Sequence, residues 1–163
     1  MSGPCYLIAL GSNLRHGEFG PPRKVIEAAT CALGDIGPVR QQSQIIATLP
    51  VGPSKRRFAN AAAIVESELA PAQMLALLKH IERRFGRRRG QRWGARVLDL
   101  DIVLWSGGIW VSQDLAVPHP QFRSRDFVLG PASTLAPGWR DPVSGLSLRQ
   151  LNARLTKPKP LPR

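Results

Sequence analysis

Cysteines and long apolar runs are scarce in this sequence, and each absence excludes a class of protein. The two cysteines, Cys5 and Cys31, stand far apart with no CxxC pair, so we interpret them as buried or incidental thiols in a reducing compartment. No apolar run approaches the roughly 20 residues of a membrane-spanning helix, and the stretch from Cys5 to Leu10 is too short for a signal peptide. We therefore expect a cytoplasmic protein that does not use a membrane.

Acidic residues are also scarce. The chain has 11 Asp and Glu against 23 Lys and Arg, for a net charge of +12. This excess favours a polyanionic partner: a nucleic acid, an anionic membrane or a highly phosphorylated ligand. Most of the excess is arginine, whose planar guanidinium suits bidentate phosphate contacts. A GC-rich genome explains the composition equally well, so the positions of the arginines have to distinguish between these two explanations.

The 163 residues suffice for one domain with its own core. Apolar periodicity and turn residues predict the order strand–helix–strand–strand–helix–strand, which indicates an α+β sandwich with helices packed on one antiparallel sheet. We expect a single domain over residues 1–156 and a mobile Pro/Lys tail over residues 157–163. The predicted strands are Tyr6–Leu10, Val39–Thr48, Phe58–Leu69, Leu98–Trp105 and Ile109–Val111. The predicted helices begin at Pro21–Pro22, at Pro71, and near Phe127 and Leu146.

Two carboxylates stand in the otherwise apolar strand that follows an arginine-dense loop. Alternation puts Asp99 and Asp101 on one face, about 6.6 Å apart, a spacing that can bracket one or two hard cations. An isolated Asp-x-Asp pair is better explained as two solvated carboxylates. Here the preceding arginines predict a site for magnesium and polyphosphate, and Trp93 either stacks on a base or anchors the loop. The arginines are Arg87, Arg88, Arg89, Arg92 and Arg96.

His119 is a second candidate, held between Pro118 and Pro120 in an extended backbone. It is either a phosphate donor or general acid–base, or a histidine at the rim of a rigid turn. Arg123 and Arg125 follow closely and favour a phosphate contact.

The remaining candidates suit the organic parts of a ligand. Glu82, late in the second helix, either hydrogen-bonds a ribose or base or pairs with a neighbouring arginine. Phe58, Phe127 and Asn60 are suited to sandwich a flat heterocycle and to read its edge. Each phenylalanine alone is better explained as part of the core.

Six segments occur together in an order that matches a known family. They are Ala9–Leu14, Phe58-x-Asn60, Arg92–Ile102, Val117–Pro120, Arg125–Leu129 and Leu135–Pro137. Covering about residues 5 to 155, they resemble the 6-hydroxymethyl-7,8-dihydropterin pyrophosphokinase family. The resemblance implies a ferredoxin-like fold and transfer of the β,γ-pyrophosphoryl group of ATP to the pterin hydroxymethyl group, with release of AMP. It also implies a monomer that needs no organic cofactor.

The resemblance further implies roles for single residues. Asp99 and Asp101 would hold two magnesium ions between ATP and the pterin hydroxyl, and would be catalytic together with Arg87 and Arg96. The implied ATP contacts are Glu82, Arg92, Trp93, Ile102, His119 and Arg125. The implied pterin contacts are Phe58 and Phe127 on its two faces, with Asn60, Thr48, Leu49 and Val51 at its edge.

The chain departs from the family pattern at several positions. Ala95 replaces the proline usual after Trp-Gly, which is expected to loosen the loop before Arg96. Leu49 replaces a proline of the pterin-edge loop, Phe58 a tyrosine, and Lys79 a neutral polar residue, while the arginine loop is about one residue shorter. No metal ligand or loop arginine is lost, so we expect an active enzyme.

Two other hypotheses stay open. One is a basic α+β module that binds nucleic acid, which the charge and the lysine-containing tail support. Against it, the predicted sheet lacks recurrent exposed aromatics, and two acidic residues in the most basic region would repel a phosphate backbone. The other is a family relative that binds ATP but has lost catalysis.

Overall fold

Five strands form one antiparallel sheet in the computed structural model, which describes residues 3–48, 57–86 and 96–163. They are β1 (Cys5–Ser12), β2 (Val39–Gln42), β3 (Ile46–Thr48), β4 (Phe58–Glu66) and β5 (Asp99–Trp105). Their order across the sheet is β2–β4–β1–β5, with β3 also paired to β4. This order confirms the α+β, ferredoxin-like arrangement and makes β1 the partner of both β4 and β5.

Within the described residues, four α-helices cover the two faces of the sheet. They are α1 (Pro22–Leu33), α2 (Pro71–Arg84), α3 (Asp126–Leu135) and α4 (Leu148–Thr156). A proline at the first turn starts α1 and α2, where its missing N–H leaves no helical bond unmade. After α2, Gly86 takes a φ of 93°, a left-handed conformation that suits glycine. No helix of the described residues is long and apolar enough to cross a membrane.

Alternation along β1 divides the interior into two cores. Tyr6, Ile8 and Leu10 point towards α1 and α2, and their core includes the apolar faces of both helices. Leu7 points the other way, into a core with the apolar residues of α3 and α4. The central strands β1 and β4 are therefore largely buried on both faces, as their long apolar runs require.

The structure corrects two predicted strand boundaries and adds one strand pairing. The predicted strand over residues 39–48 divides into β2 and β3, because the Ser43 hydroxyl enters the ladder and accepts the Ala62 N–H at 2.8 Å. The strand from Phe58 ends at Glu66: the Ser67 N–H still donates to the Pro4 carbonyl in register with β1, but Pro4 has no N–H with which to extend the ladder. A further two-stranded ribbon consists of β6 (Trp110–Val111) and β7 (Ala116–Val117), so the predicted strand near residue 110 pairs with β7.

An ion pair under the C-terminal helices corrects the interpretation of Arg123. Its Nε and Nη2 donate to the two carboxylate oxygens of Asp141 at 2.6 and 2.8 Å, and its guanidinium lies 4.7 Å from the Phe122 ring centroid. Burial acts to raise the pKa of the fully buried Asp141 carboxyl, but hydrogen bonds from Arg123, Ser144 and Val143 hold it well below its usual range. Arg123 therefore serves the fold rather than a phosphate.

We predict that Asp141→Ala lowers the free energy of unfolding by roughly 3 kcal/mol, because it leaves a partly buried guanidinium without its partner. Urea-induced unfolding measures the change, and Asp114→Ala at an exposed position is the matched control. A loss no larger than that of the control would contradict this role of the ion pair.

Candidate active site

The two carboxylates of β5 lie on one face of the sheet, as strand alternation predicts. In the register of the sheet, Asp99 is opposite Gly11 and Asp101 is opposite Ala9. Leu100 and Ile102, the alternate residues beside the two carboxylates, point into the core beneath α1 and α2. Because Gly11 has no side chain and Ala9 has only a methyl group, little side-chain volume lies beside the carboxylates, which leaves room for a ligand. A Cβ added at Gly11 would come within 3.2 Å of Asn60 Oδ1.

A cavity of about 610 Å³ opens over this part of the sheet. It is lined by Thr48, Phe58, Arg96, Asp99, Asp101, His119, Ser124, Arg125, Asp126 and Phe127. All of these except Ser124 and Asp126 are candidates from the sequence. Ser124 and Asp126 are the two neighbours of Arg125 in the sequence. Their position next to a candidate arginine was the only sequence signal that could have indicated them.

Arginine and carboxylate meet at the entrance to β5. Arg96 Nη1 lies 3.1 Å from Asp99 Oδ1, and both side chains are partly exposed, at 41% and 33%. An ion pair this accessible to water contributes little to stability. A charged ligand can therefore replace either partner of this ion pair.

Asp101 lies deeper, and its pKa rises to about 6. Burial is the largest cause, and the negative charge of Asp99 is the next. The positive charge of Arg125 partly opposes the rise. A bound cation would oppose this rise in pKa, because its positive charge favours the ionised form of both carboxylates.

The donor set suits magnesium better than zinc. Two carboxylates are hard oxygen ligands, and Mg²⁺ in nucleotide sites is held by one or two carboxylates together with substrate phosphates and water. Among residues 3–48, 57–86 and 96–163, no group of three or more His, Cys, Asp or Glu comes together in the manner of a zinc site. The pair therefore fits a cation that shares its coordination with a phosphorylated ligand.

His119 presents a neutral ring to the same cavity. Its pKa is lowered, first by burial and then by the positive charge of Arg125, against an opposing effect of Asp99. The Gln121 N–H donates to His119 Nδ1 at 3.1 Å, so the proton of the neutral ring is on Nε2. The backbone is fixed as well, since the His119 N–H donates to the carbonyl of Val103 in β5 at 3.0 Å. His119 is thus suited to donate a hydrogen bond to an anion.

Aromatic and polar groups occupy the other side of the cavity. Phe58 begins β4, whereas Phe127 is in the first turn of α3, so the two rings line the cavity from the sheet and from the covering helix. The Arg125 guanidinium lies 5.8 Å from the Phe127 ring centroid and donates to the Gln121 amide oxygen. Beside Phe58, the buried Asn60 amide donates to Thr48 Oγ1 at 2.6 Å.

Glu82 and Ile102, both expected to contact ATP, are buried in the structure. The Glu82 side chain is fully buried, and its Oε1 accepts the Leu100 N–H at 2.9 Å. Its carboxylate thus supports the main chain of β5, and a contact with ATP stays a prediction. The Ile102 side chain packs in the core beneath α1 and α2, so only its main chain is available to a nucleotide.

Several sequence-based expectations lie outside the described residues. These are the implied contacts of Arg87, Arg92, Trp93, Leu49 and Val51, and the effect of Ala95.

We predict that Asp101→Asn stabilises the metal-free protein. Below pH 4 the carboxyl is protonated in both folded and unfolded chains. Between its ordinary pKa of 3.8 and the folded value of about 6, the unfolded chain loses its proton first, so stability falls as pH rises. The amide removes this penalty, so the variant gains about 1–3 kcal/mol at pH 8 and little at pH 4.

Urea unfolding in EDTA at both pH values measures the gain, with Asp35→Asn in the exposed turn after α1 as control. Equal or lower stability of Asp101→Asn at pH 8 would show that the site does not strain this carboxylate.

Comparison with known proteins gives one consistent result. A family model described as 7,8-dihydro-6-hydroxymethylpterin-pyrophosphokinase matches residues 7–137. The 2-amino-4-hydroxy-6-hydroxymethyldihydropteridine pyrophosphokinase of Pseudomonas aeruginosa is 40% identical over 138 residues, which is 83% of this chain and 82% of that protein. The protein of the same name in Bacillus subtilis is 33% identical over 155 residues, 93% of this chain and 90% of the relative.

Solved structures support the fold at much lower identity. An HPPK-DHPS in complex with substrates has a TM-score of 0.75 at 11% identity and matches 94% of this chain. A triple mutant of Plasmodium falciparum HPPK-DHPS has a TM-score of 0.71 at 14% identity. This chain spans 45% and 44% of the length of those two chains.

Proposed function

Because the chain belongs to the 7,8-dihydro-6-hydroxymethylpterin-pyrophosphokinase family, we propose that it transfers the pyrophosphoryl group of ATP to 6-hydroxymethyl-7,8-dihydropterin. The hydroxyl oxygen of the acceptor forms a bond to the β-phosphorus, the bond from this phosphorus to the bridging oxygen of the α-phosphate breaks, and AMP leaves. The hydroxyl proton is released to solvent. One observation carries the proposal: carboxylates, cationic side chains and two aromatic rings line a single cavity.

The polyphosphate is assigned to the charged side of this cavity. Arg96 and Arg125 would neutralise phosphate oxygens, which matters because phosphoryl transfer relies on electrostatic stabilisation and positioning. Arg96 would exchange its contact with Asp99 for a phosphate contact. His119 would donate from Nε2 to an anionic oxygen without having to change its protonation state. The arginines Arg87 and Arg92 are proposed to act on the same phosphates.

Magnesium is assigned to Asp99 and Asp101, and we propose two ions. A pair of metals supplies charge neutralisation at both the attacking and the leaving oxygen of an in-line displacement. The two carboxylates would hold these ions through their common face. Arg96 and Arg125 line the same cavity, so the two carboxylates lie among cationic side chains.

The heterocycle is assigned to the aromatic side. Phe58 and Phe127 would stack on its two faces, since flat rings favour offset stacking on aromatic side chains. Asn60 would read the edge, and its hydrogen bond to Thr48 supports a fixed amide orientation. The loop residues Leu49 and Val51 are proposed to complete that edge.

Oligomeric state and compartment stay predictions. A monomer is expected from the family resemblance, and a cytoplasmic location from the sequence.

One assay distinguishes the three hypotheses. The protein is incubated with magnesium, ATP and 6-hydroxymethyl-7,8-dihydropterin, and AMP is measured. AMP formation supports the pyrophosphokinase, ATP binding without AMP supports a relative that has lost catalysis, and salt-sensitive RNA retention without AMP supports a nucleic-acid-binding module.

We predict that Asp99→Ala and Asp101→Ala each abolish AMP formation, because charge neutralisation and in-line positioning both rest on the metals. The rate of AMP release is measured at limiting magnesium, after urea unfolding confirms that each variant is folded. Asp114→Ala serves as the control. Near-normal turnover of either variant would exclude the metal assignment.

A further inference from the structure

The strand that carries both carboxylates lies at the edge of the sheet. β5 pairs with β1 on one side, and no other strand of the five-stranded sheet flanks it. An edge strand has main-chain groups that need partners from elsewhere. The geometry of the metal-binding pair therefore depends on what holds the free edge of β5 and the segment that leads into it.

Glu82 of α2 holds the free edge. Its carboxylate accepts the N–H of Leu100, the residue between the two aspartates, at 2.9 Å. Leu100 is 1% exposed and Glu82 is fully buried, so water does not substitute for this acceptor. Lys79 Nζ lies 3.6 Å from the other carboxylate oxygen, which offsets the charge that Glu82 brings into the interior.

Asn13 holds the segment that leads into β5. Its side-chain oxygen accepts the Arg96 N–H at 2.7 Å, and its own N–H donates to the Arg96 carbonyl at 3.0 Å. Asn13 is 3% exposed. It thus fixes both main-chain groups of the residue whose guanidinium contacts Asp99.

We propose that Asn13 and Glu82 are positioning residues of the pyrophosphokinase reaction. Acting from outside the cavity, they fix the main chain of residues 96–100, so that Arg96 and the two carboxylates meet at one end of the cavity. The proposal rests on the proposed function, but its first observable does not. A displacement of reacting groups by about 1 Å can reduce turnover about 100-fold, so main-chain acceptors at this segment matter beyond their contribution to stability.

Amide hydrogen exchange tests the geometry without substrate. In Asn13→Ala the Arg96 amide is expected to exchange at least about tenfold faster than in the wild-type protein. The Leu100 amide is expected to show the same increase in Glu82→Leu. Unchanged exchange at both amides would refute the proposal even in an active enzyme. If the wild-type protein forms no AMP, the proposed function is refuted. The exchange rates still test whether Asn13 and Glu82 hold the main chain of residues 96–100.

A double-mutant cycle tests whether Asn13 acts through Arg96. Asn13→Ala is expected to lower kcat about tenfold or more, with the KM for the heterocycle changed less than about threefold. In an Arg96→Ala background the same change should then have little further effect. An equal loss in both backgrounds, or a kcat close to wild type, would contradict the assignment. Asn152→Ala, on the outer part of α4, is the control.

Should Asn13→Ala not fold, Asn13→Ser provides the same test. Its oxygen is on a shorter side chain and does not reach the Arg96 amide in the same way.

Conservative rescue tests Glu82. Glu82→Gln keeps an oxygen acceptor for the Leu100 N–H, whereas Glu82→Leu removes it. Glu82→Gln is expected to keep kcat within about threefold of wild type, and Glu82→Leu to lose about tenfold and to require more magnesium for half-maximal rate. Equal impairment of the two variants would refute a role of the hydrogen bond. Glu27→Gln and Glu27→Leu, at a partly exposed position of α1, are the controls.

Discussion

The repulsion between two carboxylates on one face of a strand is the constraint on which the rest of the site depends. Asp99 and Asp101 are held close by strand geometry, and burial of Asp101 makes the repulsion stronger than it would be in water. Arg96 and Arg125 reduce it without cancelling it. The negative charge of the two aspartates is therefore not fully neutralised in the folded protein. A magnesium-bound polyphosphate suits this site, because its cations bind the carboxylates and its phosphates bind the arginines.

A strained site of this kind requires stability from other parts of the molecule. The two apolar cores on either side of the sheet supply most of it, since they bury both faces of β1. The Arg123–Asp141 pair anchors the segment between β7 and α3 to the turn before α4. His119 and Arg125, which belong to that segment or adjoin it, are thereby presented to the cavity by a well-held backbone. This separation of stabilising and reactive groups is common in enzymes.

Much of the fold and site could be predicted from local patterns. Alternation placed Asp99 and Asp101 on one face, and proline and glycine marked the ends of α2. Sequence could not separate residues with the same chemistry but different surroundings: Arg123 and Arg125 are two positions apart, yet one is bound to Asp141 and the other faces the cavity. The role of Glu82 was missed for a similar reason, because its partner is a main-chain N–H of a strand distant in sequence.

The register of the sheet also sets the distance between the two ends of the proposed substrate site. Asn60 on β4, Gly11 on β1 and Asp99 on β5 are direct neighbours in one row across the sheet. Adjacent strands lie about 4.8 Å apart, so the amide that would read the heterocycle and the carboxylate that would hold the metal are separated by about 9–10 Å. A molecule recognised at one end of this row and reacting at the other must span two strand spacings. A two-ring heterocycle with a short hydroxymethyl arm is elongated enough to do so, whereas a single small ring is not.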